Sequence, residues 1–246
     1  VLTHNFPSQP AIGGIHRIEG TGSACSMIIN VQGQDRRFIS TAGANTRFTV
    51  PHIPPEWVTQ ARVFYVGGYL MMPGLETDAM VELFRSARAA GATTVLDVVL
   101  FGREHSWDII APLLPETDVF LPNDDEGAVI AGLKDPLEQA ERFREAGART
   151  VVITLGSKGS LLVTDGLRLR AGVYPIEFVG GAGSGDAFNP LLTYNLRAGE
   201  DPAGCLRWGS ALGASCVRSI TTTESVFNRA EAEAFMRENE LHTETL

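Results

Sequence analysis

The chain has 246 residues, of which 44% are hydrophobic and 20% are charged. Its 29 acidic side chains outnumber its 20 lysines and arginines, which gives a net charge of −9. This balance argues against nucleic acid or an anionic membrane as the main partner, because both select for basic binding surfaces. A phosphate-bearing small molecule is not excluded, since backbone N–H groups can hold an anion.

Three cysteines, Cys25, Cys205 and Cys216, are too few and too widely spaced for a disulfide framework or a Cys-x-x-Cys metal site. We interpret them as buried free thiols of a protein in the reducing cytoplasm. No apolar run reaches the roughly 18 residues that a membrane helix needs, and no basic-then-apolar leader opens the chain. The sequence therefore predicts a cytoplasmic protein without a membrane partner.

The first predicted element is a β-hairpin. Residues 23–30 and 36–41 have strand-type sequences, and the Gln-Gly-Gln-Asp stretch between them supplies a turn. Apolar side chains fall on both faces of the first strand, with Met27 on one face and Ile28 on the other. We expect a small β lid at about residues 15–50, whose second face is covered either by a homodimer partner or by further strands.

From residue 62 onward, apolar runs typical of buried strands alternate with segments of helical spacing. The predicted strands are 62–67, 93–99, 118–121, 150–154, 160–164 and 167–171. The predicted helices are 75–90, 126–131, 137–146, 184–197, 203–218 and 229–239. This alternation is typical of βαβ units with helices on both faces of the sheet. We therefore expect one α/β domain over residues 1–246, a three-layer α/β/α fold with a mainly parallel sheet.

The densest chemical signal is the glycine-rich stretch 180–188, at the start of a predicted helix. Glycines at a helix N-terminus leave backbone N–H groups open to an anion, and the helix dipole adds partial positive charge. Asp186 could accept a proton from a hydroxyl beside that anion, as phosphoryl transfer to an alcohol requires. The alternative is a glycine-rich turn in which Asp186 merely favours the first helical turn, and the residues alone leave both open.

Two common nucleotide-binding motifs do not fit this stretch. No Gly-Lys-Ser/Thr follows it, as a Walker loop requires. It also does not follow the first strand of a βαβ unit with an acidic residue about 20 positions on, as a dinucleotide fingerprint requires. A dehydrogenase is therefore a distant alternative.

Motifs in three places, in matching order and spacing, resemble those of the ribokinase-like (PfkB) carbohydrate kinases. The sequence Gly-Ala-Gly-Ser-Gly-Asp-Ala-Phe at 181–188 resembles the family's C-terminal signature, Asp-Thr-x-Gly-Ala-Gly-Asp-x-Phe. Asn123 and Glu126 match its Asn-x-x-Glu motif, and residues 154–159 match its Thr-Leu-Gly-x-x-Gly nucleotide loop. The resemblance covers nearly the whole chain and implies the ribokinase-like fold with its β lid.

The resemblance also implies an activity, the ATP-dependent phosphorylation of a sugar or sugar-acid hydroxyl. Asp186 is then the catalytic base and contacts the substrate, and the backbone N–H groups of Gly183, Ser184 and Gly185 form the anion hole. Asn45, after the hairpin, is then a second substrate-binding residue. The implied ligands are ATP, Mg²⁺ and a small-molecule sugar, whose identity the sequence does not specify.

The other two motifs would serve the metal and the nucleotide. Glu126 would hold Mg²⁺ through water, because a hard divalent ion takes few carboxylates plus water and phosphate oxygens. An Asn N-cap followed three residues later by Glu is also a capping-box variant, and both roles can hold together. The implied nucleotide-binding residues are Asn123, Thr154, Gly156, Ser157 and Gly159. Without the neighbouring motifs, the last four would be interpreted as a tight strand-to-strand turn.

The sequence departs from the family pattern at several points. The family's first strand, with a sugar-binding Asp and a Gly-Gly segment, is not found, so we expect the chain to start partway through the fold. Gly180 and Thr221 stand where the family has Asp and Gly near a monovalent cation, so activation by such a cation is not expected. With Ser184 as N-cap, Pro190 is expected to strain the helix behind Asp186.

These departures favour an alternative from another class. The chain would then be a nucleotide-binding paralogue, or an inactive fragment of a kinase, that binds without catalysing. Consumption of ATP in the presence of a panel of sugars would separate the two hypotheses.

Overall fold

The structure is a computed structural model, and it describes residues 14–29, 37–100 and 106–246. The described chain contains nine β-strands and eight α-helices, joined in several places by short 3₁₀ turns. The strands are β1 (Cys25–Ile29), β2 (Arg37–Thr41), β3 (Val63–Val66), β4 (Thr93–Asp97), β5 (Val119–Leu121), β6 (Thr150–Thr154), β7 (Ser160–Thr164), β8 (Leu167–Ala171) and β9 (Thr243–Thr245). The helices are α1 (Pro55–Gln60), α2 (Thr77–Ala89), α3 (Ser106–Ile110), α4 (Asp124–Ala131), α5 (Pro136–Glu145), α6 (Ser184–Ala198), α7 (Pro202–Cys216) and α8 (Arg229–Glu238).

The predicted hairpin is confirmed, because β1 and β2 pair antiparallel as a separate two-stranded sheet. Met27 lies opposite Ile39 and Ile28 lies opposite Phe38, so each face of the lid carries an apolar cross-strand pair. Met27 and Ile39 are each 63% exposed, and Phe38 is 51% exposed. The predicted turn between the strands lies outside the described residues.

The main sheet has seven strands in the order β3-β4-β5-β6-β7-β8-β9. Strands β3 to β6 are parallel neighbours, and the last three pairings, from β6 to β9, are antiparallel. Because β8 again runs in the direction of β3, five of the seven strands share one direction. The expected mainly parallel, three-layer α/β/α fold is confirmed.

Helices cover both faces of this sheet. Sequential parallel strands joined by right-handed crossovers place their connecting helices on one face. Phe84 of α2, Ile130 of α4 and Phe143 of α5 accordingly join one buried core. Leu192 of α6 and Leu206 of α7 join a second core on the opposite face. The second face therefore carries the helix that begins with the glycine-rich stretch.

The strands supply both cores by alternation. Val151 and Ile153 of β6 pack in the first core, while Val152 between them packs in the second. Consecutive strand residues point to opposite faces, so a fully buried strand reads as a continuous apolar run. Such runs predict β6 and β7 at the bounds that the structure has. The predicted bounds of β8, whose sequence alternates leucine and arginine, are also confirmed.

The elements that the sequence did not predict are short or polar. Helices α1 and α3 have six and five residues, too few to show a helical period. Strand β9 has the sequence Thr-Glu-Thr, and it forms because β8 presents a free edge for pairing. Among the described residues, no helix combines the length and the apolar character that crossing a bilayer requires.

The cysteines differ from the prediction at one position. Cys205 and Cys216 are buried free thiols, as expected, but Cys25 is exposed. Cys25 lies on the lid, where no layer of the described chain covers it. The prediction that all three thiols are buried is therefore wrong for Cys25.

Candidate active site

Three carboxylates converge at the carboxyl edge of the parallel strands. Asp97 ends β4, Glu126 lies in the first turn of α4 just after β5, and Asp186 lies in the first turn of α6. Their charges interact: Asp186 contributes to a raised pKa at Asp97, and Asp97 contributes to a raised pKa at Glu126. Open α/β sheets bind ligands at this edge, so the three groups mark the candidate site.

Asp97 is a site residue that no sequence motif marks. Its carboxylate accepts a hydrogen bond from the Tyr65 hydroxyl at 2.9 Å. Burial raises the pKa of Asp97 to about 6, which the hydrogen bond from Tyr65 opposes and the charge of Asp186 reinforces. An aspartate at a strand end was the only available signal, and it does not distinguish a ligand contact from a helix cap.

Glu126 takes part in a complete capping box. The Asn123 side-chain oxygen accepts the Glu126 backbone N–H at 2.8 Å, and the Asn123 backbone N–H donates to Glu126 Oε2 at 2.9 Å. The capping interpretation of this motif is therefore confirmed. Burial raises the pKa of Glu126 to about 7, against the lowering effect of the Asn123 N–H. The motif thus holds a carboxylate with an unusual affinity for protons beside Asp97.

The N-terminus of α6 is left open. Its N-cap is Gly183 in the left-handed region (φ 83°), so the expectation that Ser184 is the N-cap is wrong. The Ser184 hydroxyl donates to the carbonyl of Gly181, and no side chain caps the helix. A Cβ on Gly183 would lie 2.8 Å from the Thr222 carbonyl oxygen, so only glycine fits. The first backbone N–H groups of the helix, at Gly185 among others, therefore remain available to an anion.

Helix α6 runs without interruption from Ser184 to Ala198, with Pro190 as its seventh residue. Pro190 has no N–H to donate to the carbonyl four residues earlier, which belongs to Asp186. The Asp186 carbonyl thus lacks its usual helical donor, while its exposed side chain stays on the first turn. The strain predicted behind Asp186 stays a prediction.

The expected nucleotide loop lies next to the Asn123 motif. Thr154 at the end of β6 forms a parallel β-bridge with Asn123. A 3₁₀ turn at Gly156–Lys158 then joins β6 to β7, and Ser157 within it is exposed. Gly159 has φ 95°, and a Cβ there would lie 1.9 Å from the Ala171 carbonyl oxygen. The alternative interpretation as a tight strand-to-strand turn is correct for the backbone.

The contacts described for two other sequence-predicted positions do not include the three carboxylates. Asn45 is half-buried in the 3₁₀ turn Gly43–Arg47 after the lid, and its backbone carbonyl accepts from Phe48. No contact described for Asn45 joins it to Asp186. Gly180 faces the loop at Ser219, whose carbonyl oxygen would lie 3.1 Å from a Cβ on Gly180.

The carboxylates suit a metal that keeps water and phosphate ligands. Within the described ranges, no group of three or more His, Cys, Asp or Glu side chains is placed to chelate a metal directly. Mg²⁺ is typically held by one or two carboxylates together with water and substrate phosphates. Glu126 and Asp97, with raised pKa values and adjacent charges, fit that pattern.

Comparison with known proteins decides the family. The model of the pfkB family carbohydrate kinases matches residues 12–236. The chain belongs to the pfkB family. The ribokinase-like resemblance of its motifs is thereby confirmed.

Individual pfkB relatives are distant in sequence and similar in fold. A 5-dehydro-2-deoxygluconokinase of Clostridium perfringens is 27% identical over 195 residues, covering 74% of this chain and 57% of that protein. Arabidopsis thaliana ribokinase, solved with ribose and ATP, has a TM-score of 0.74 at 20% identity, covering 89% of this chain and 70% of that one. A ribokinase II candidate from E. coli, solved with ATP and Mg²⁺, has a TM-score of 0.72 at 22% identity, covering 83% and 68%. The chain thus spans less than two thirds of the length of the curated relative.

Proposed function

We propose that this chain transfers the γ-phosphoryl group of ATP to a hydroxyl of a small sugar or sugar acid. The observation that carries the proposal is the open N-terminus of α6, with the exposed Asp186 on its first turn. The charge of Asp186 acts on Asp97, and the charge of Asp97 in turn acts on Glu126. An anion site, an adjacent base and carboxylates for a metal are the parts that phosphoryl transfer requires.

In this proposal Asp186 accepts the proton of the acceptor hydroxyl. The hydroxyl oxygen then forms a bond to the γ-phosphorus, the bond from that phosphorus to the bridging oxygen breaks, and ADP leaves with the electron pair. The N–H groups of Gly183, Ser184 and Gly185, which no side chain caps, stabilise the charge on the phosphoryl oxygens during transfer. The Ser184 N–H donates to the Gly181 carbonyl oxygen over a long 3.4 Å and would turn to the phosphoryl group. Because Asp186 is exposed, an acceptor can reach it directly.

Glu126 and Asp97 would hold Mg²⁺, partly through water. When bound, the metal would neutralise phosphate charge. The protein's own part is to keep both carboxylates in place: the capping box orients Glu126, and strand β4 carries Asp97 to the edge of the sheet. Ionised carboxylates bind cations best, so the raised pKa values imply tighter metal binding as pH rises toward about 7.

The nucleotide would lie along the ends of β5 and β6. Asn123, Thr154, Gly156, Ser157 and Gly159 are assigned to it because the β-bridge between Asn123 and Thr154 brings the two motifs together. The exposed 3₁₀ turn leaves room for a ligand beside Ser157. Asn45 is assigned to the acceptor by its place after the lid, and the acceptor itself is a sugar of unspecified identity.

A second candidate function is nucleotide binding without transfer. Pro190 favours it, because the missing N–H leaves the backbone of Asp186 less supported than in an unbroken hydrogen-bond ladder. Both candidate functions predict that the chain binds ATP, but only the first predicts turnover of ATP with an acceptor.

The test measures release of ADP from ATP and Mg²⁺ with each member of a panel of pentoses, hexoses, sugar acids and nucleosides. The proposed function predicts acceptor-dependent ADP release and a phosphorylated acceptor detectable by mass spectrometry. Binding of ATP by calorimetry without acceptor-dependent release would instead support the second candidate. The same measurement on a chain extended to the length of its relatives separates loss of the acceptor pocket from loss of chemistry.

We also propose that the lid pairs with the lid of a second copy. The lid has apolar cross-strand pairs on both faces, and Met27 and Ile39 are each 63% exposed. The rest of the domain can cover only one of these faces, which leaves the other for a partner. Ile39→Asp should convert a dimer to a monomer in sedimentation velocity without loss of folded structure. A parent chain that sediments as a monomer at high concentration would contradict the pairing.

A further inference from the structure

A tyrosine on the strand next to β4 hydrogen-bonds to Asp97 and is 37% exposed. Tyr65 is on β3, in register with Val95 of β4, and Val95 packs in the core on the face of α6. Asp97, two residues after Val95, therefore points to the same face. There the Tyr65 hydroxyl donates to Asp97 Oδ2 at 2.9 Å. The phenol thus links the ends of two neighbouring parallel strands on the side where α6 begins.

Helix α6 presents a second polar group to this phenol. Asn189 lies three residues after Asp186, so the two side chains share one face of the helix. Asn189 is 6% exposed, and its side-chain oxygen has no hydrogen-bond partner among the described residues. Burial, and then the charge of Asp97, raise the pKa of the Tyr65 hydroxyl, and the nearby Asn189 side chain lowers it.

The backbone leaves space for this arrangement. A Cβ on Gly67 would lie 2.9 Å from the Tyr65 ring and 3.6 Å from Asp97 Oδ2. Any other residue at 67 would press on the ring, because 2.9 Å is closer than carbon atoms approach without a clash. Gly67 therefore permits the ring position that brings the hydroxyl to Asp97.

We propose that Tyr65 is a positioning residue of this site: its hydroxyl holds one oxygen of Asp97 and so orients the Asp97 carboxylate in the candidate site. A carboxylate at a strand end turns freely about its side-chain bonds unless a donor holds one oxygen. Tyr65 holds Oδ2, and the backbone N–H of Val98 is a second donor to this carboxylate. The proposal assigns to Tyr65 the hold on Oδ2 that leaves Oδ1 for a ligand. The proposal rests on the proposed function for its role in turnover, and on geometry alone for its role in holding Asp97.

The first test is kinetic and uses Tyr65→Phe, which keeps the ring and removes the hydroxyl. We expect kcat to fall about tenfold, the scale of one hydrogen bond to a charged group, while KM for ATP and for the acceptor changes by less than about twofold. An unchanged kcat would overturn the proposal.

A double-mutant cycle shows whether the hydroxyl acts through Asp97. In an Asp97→Ala background, Tyr65→Phe should have almost no further effect on kcat, because the group it orients is gone. The same tenfold loss in both backgrounds would overturn the proposal. Tyr174→Phe is the matched control: the Tyr174 hydroxyl is buried without a partner in the described chain, and its ring packs on Phe235 in the second core. That control should keep the kcat of the parent.

The second test does not depend on turnover. Mn²⁺ binding to the chain, followed by electron paramagnetic resonance, should weaken several-fold in Tyr65→Phe and stay at the parent value in Tyr174→Phe. Equal Mn²⁺ binding by the parent and Tyr65→Phe, including no binding by either, would overturn the proposal. A parent that binds Mn²⁺ more tightly than Tyr65→Phe but phosphorylates no acceptor would contradict the proposed function and support the role of Tyr65.

Discussion

Helices α4 and α6 both begin at the carboxyl edge of the sheet, and their first turns are built in opposite ways. In α4 both cap residues use their side chains. The Asn123 side chain accepts the Glu126 backbone N–H at 2.8 Å, and the Glu126 side chain accepts the Asn123 backbone N–H at 2.9 Å. In α6 the cap is a left-handed glycine, Gly183, without any side-chain acceptor. The closed helix offers a fixed carboxylate, whereas the open helix offers free N–H groups. Together, the N-termini of α4 and α6 suit a ligand that has both a phosphate group and a bound metal ion.

The largest expected effect is at the open helix. Asp186→Asn keeps the shape of the side chain and removes the proton acceptor, so kcat should fall about 10²- to 10⁴-fold. Nucleotide affinity, measured by calorimetry, should stay near the parent value because the N–H groups are unchanged. A variant with the turnover of the parent would show that the open helix carries no base.

The N-terminus of α6 can be perturbed by adding a side chain at its N-cap. In Gly183→Ala the new Cβ would lie 2.8 Å from the Thr222 carbonyl oxygen at a left-handed φ, so the loop must shift. We expect kcat to fall about tenfold or more, together with a loss of about 1–3 kcal/mol in the free energy of unfolding. Gly199→Ala is the control, since it has the same kind of φ (81°) and open space around it. It should lose stability and keep kcat.

The role of the Glu126 carboxylate at the start of α4 can be tested by removing its charge while keeping the capping box. Glu126→Gln retains a side-chain oxygen for the Asn123 N–H, so the capping box survives. We expect kcat to fall about tenfold and the Mg²⁺ requirement to rise, because a carboxylate beside Asp97 is lost. The matched control is Glu231→Gln at the start of α8, where Asn228 and Glu231 form the same box away from the three carboxylates. Equal kinetics of the two variants would mean that Glu126 only caps.

A smaller effect is expected in the pH dependence of stability. The pKa of Glu126 is raised from 4.5 to about 7 in the folded chain, so folding favours its protonated form. Without metal, this contribution to the free energy of unfolding is fully present below about pH 4.5 and is lost as pH rises through about 7. Urea unfolding of the parent and of Glu126→Gln at pH 5, 6, 7 and 8 should show a difference that changes across this window. Parallel curves would contradict the shift.

The smallest effect is expected for monovalent cations. The loop that faces Gly180 is held by side chains, since the Thr221 hydroxyl donates to Glu224 at 3.2 Å and interacts with the Ser219 hydroxyl at 3.0 Å. Because Gly180 supplies no carboxylate, turnover in KCl and in NaCl at equal ionic strength should agree within about twofold. A strong preference for K⁺ would show that this loop binds a cation through other oxygens.

The sequence predicts the fold better than it predicts the site. Apolar runs place β6 and β7 at their observed bounds, because a buried strand has few alternatives. The alternation of leucine and arginine places β8 at its observed bounds. The motif around Asp186 is contiguous and can be recognised in the sequence, but the neighbours of Asp186 come from strands far away in the chain. Tyr65 carries no motif, and only the register of β3 with β4 brings its hydroxyl to Asp97. Asn189 has no role predicted from the sequence, and only the tertiary structure brings it near the phenol.

The strand order also determines when each part of the molecule can form during synthesis. Each main-sheet strand from β3 to β8 lies beside the one that precedes it, so this part of the sheet can be added from one edge as the chain emerges. Helices α2, α4 and α5 cover their face on the way, but α6, α7 and α8 are made only after β8. Until then the opposite face exposes Val119, Val152 and Leu162 to water. A nascent chain that has emerged only as far as about residue 171 would therefore have one uncovered apolar face of the sheet, and a chaperone could bind that face.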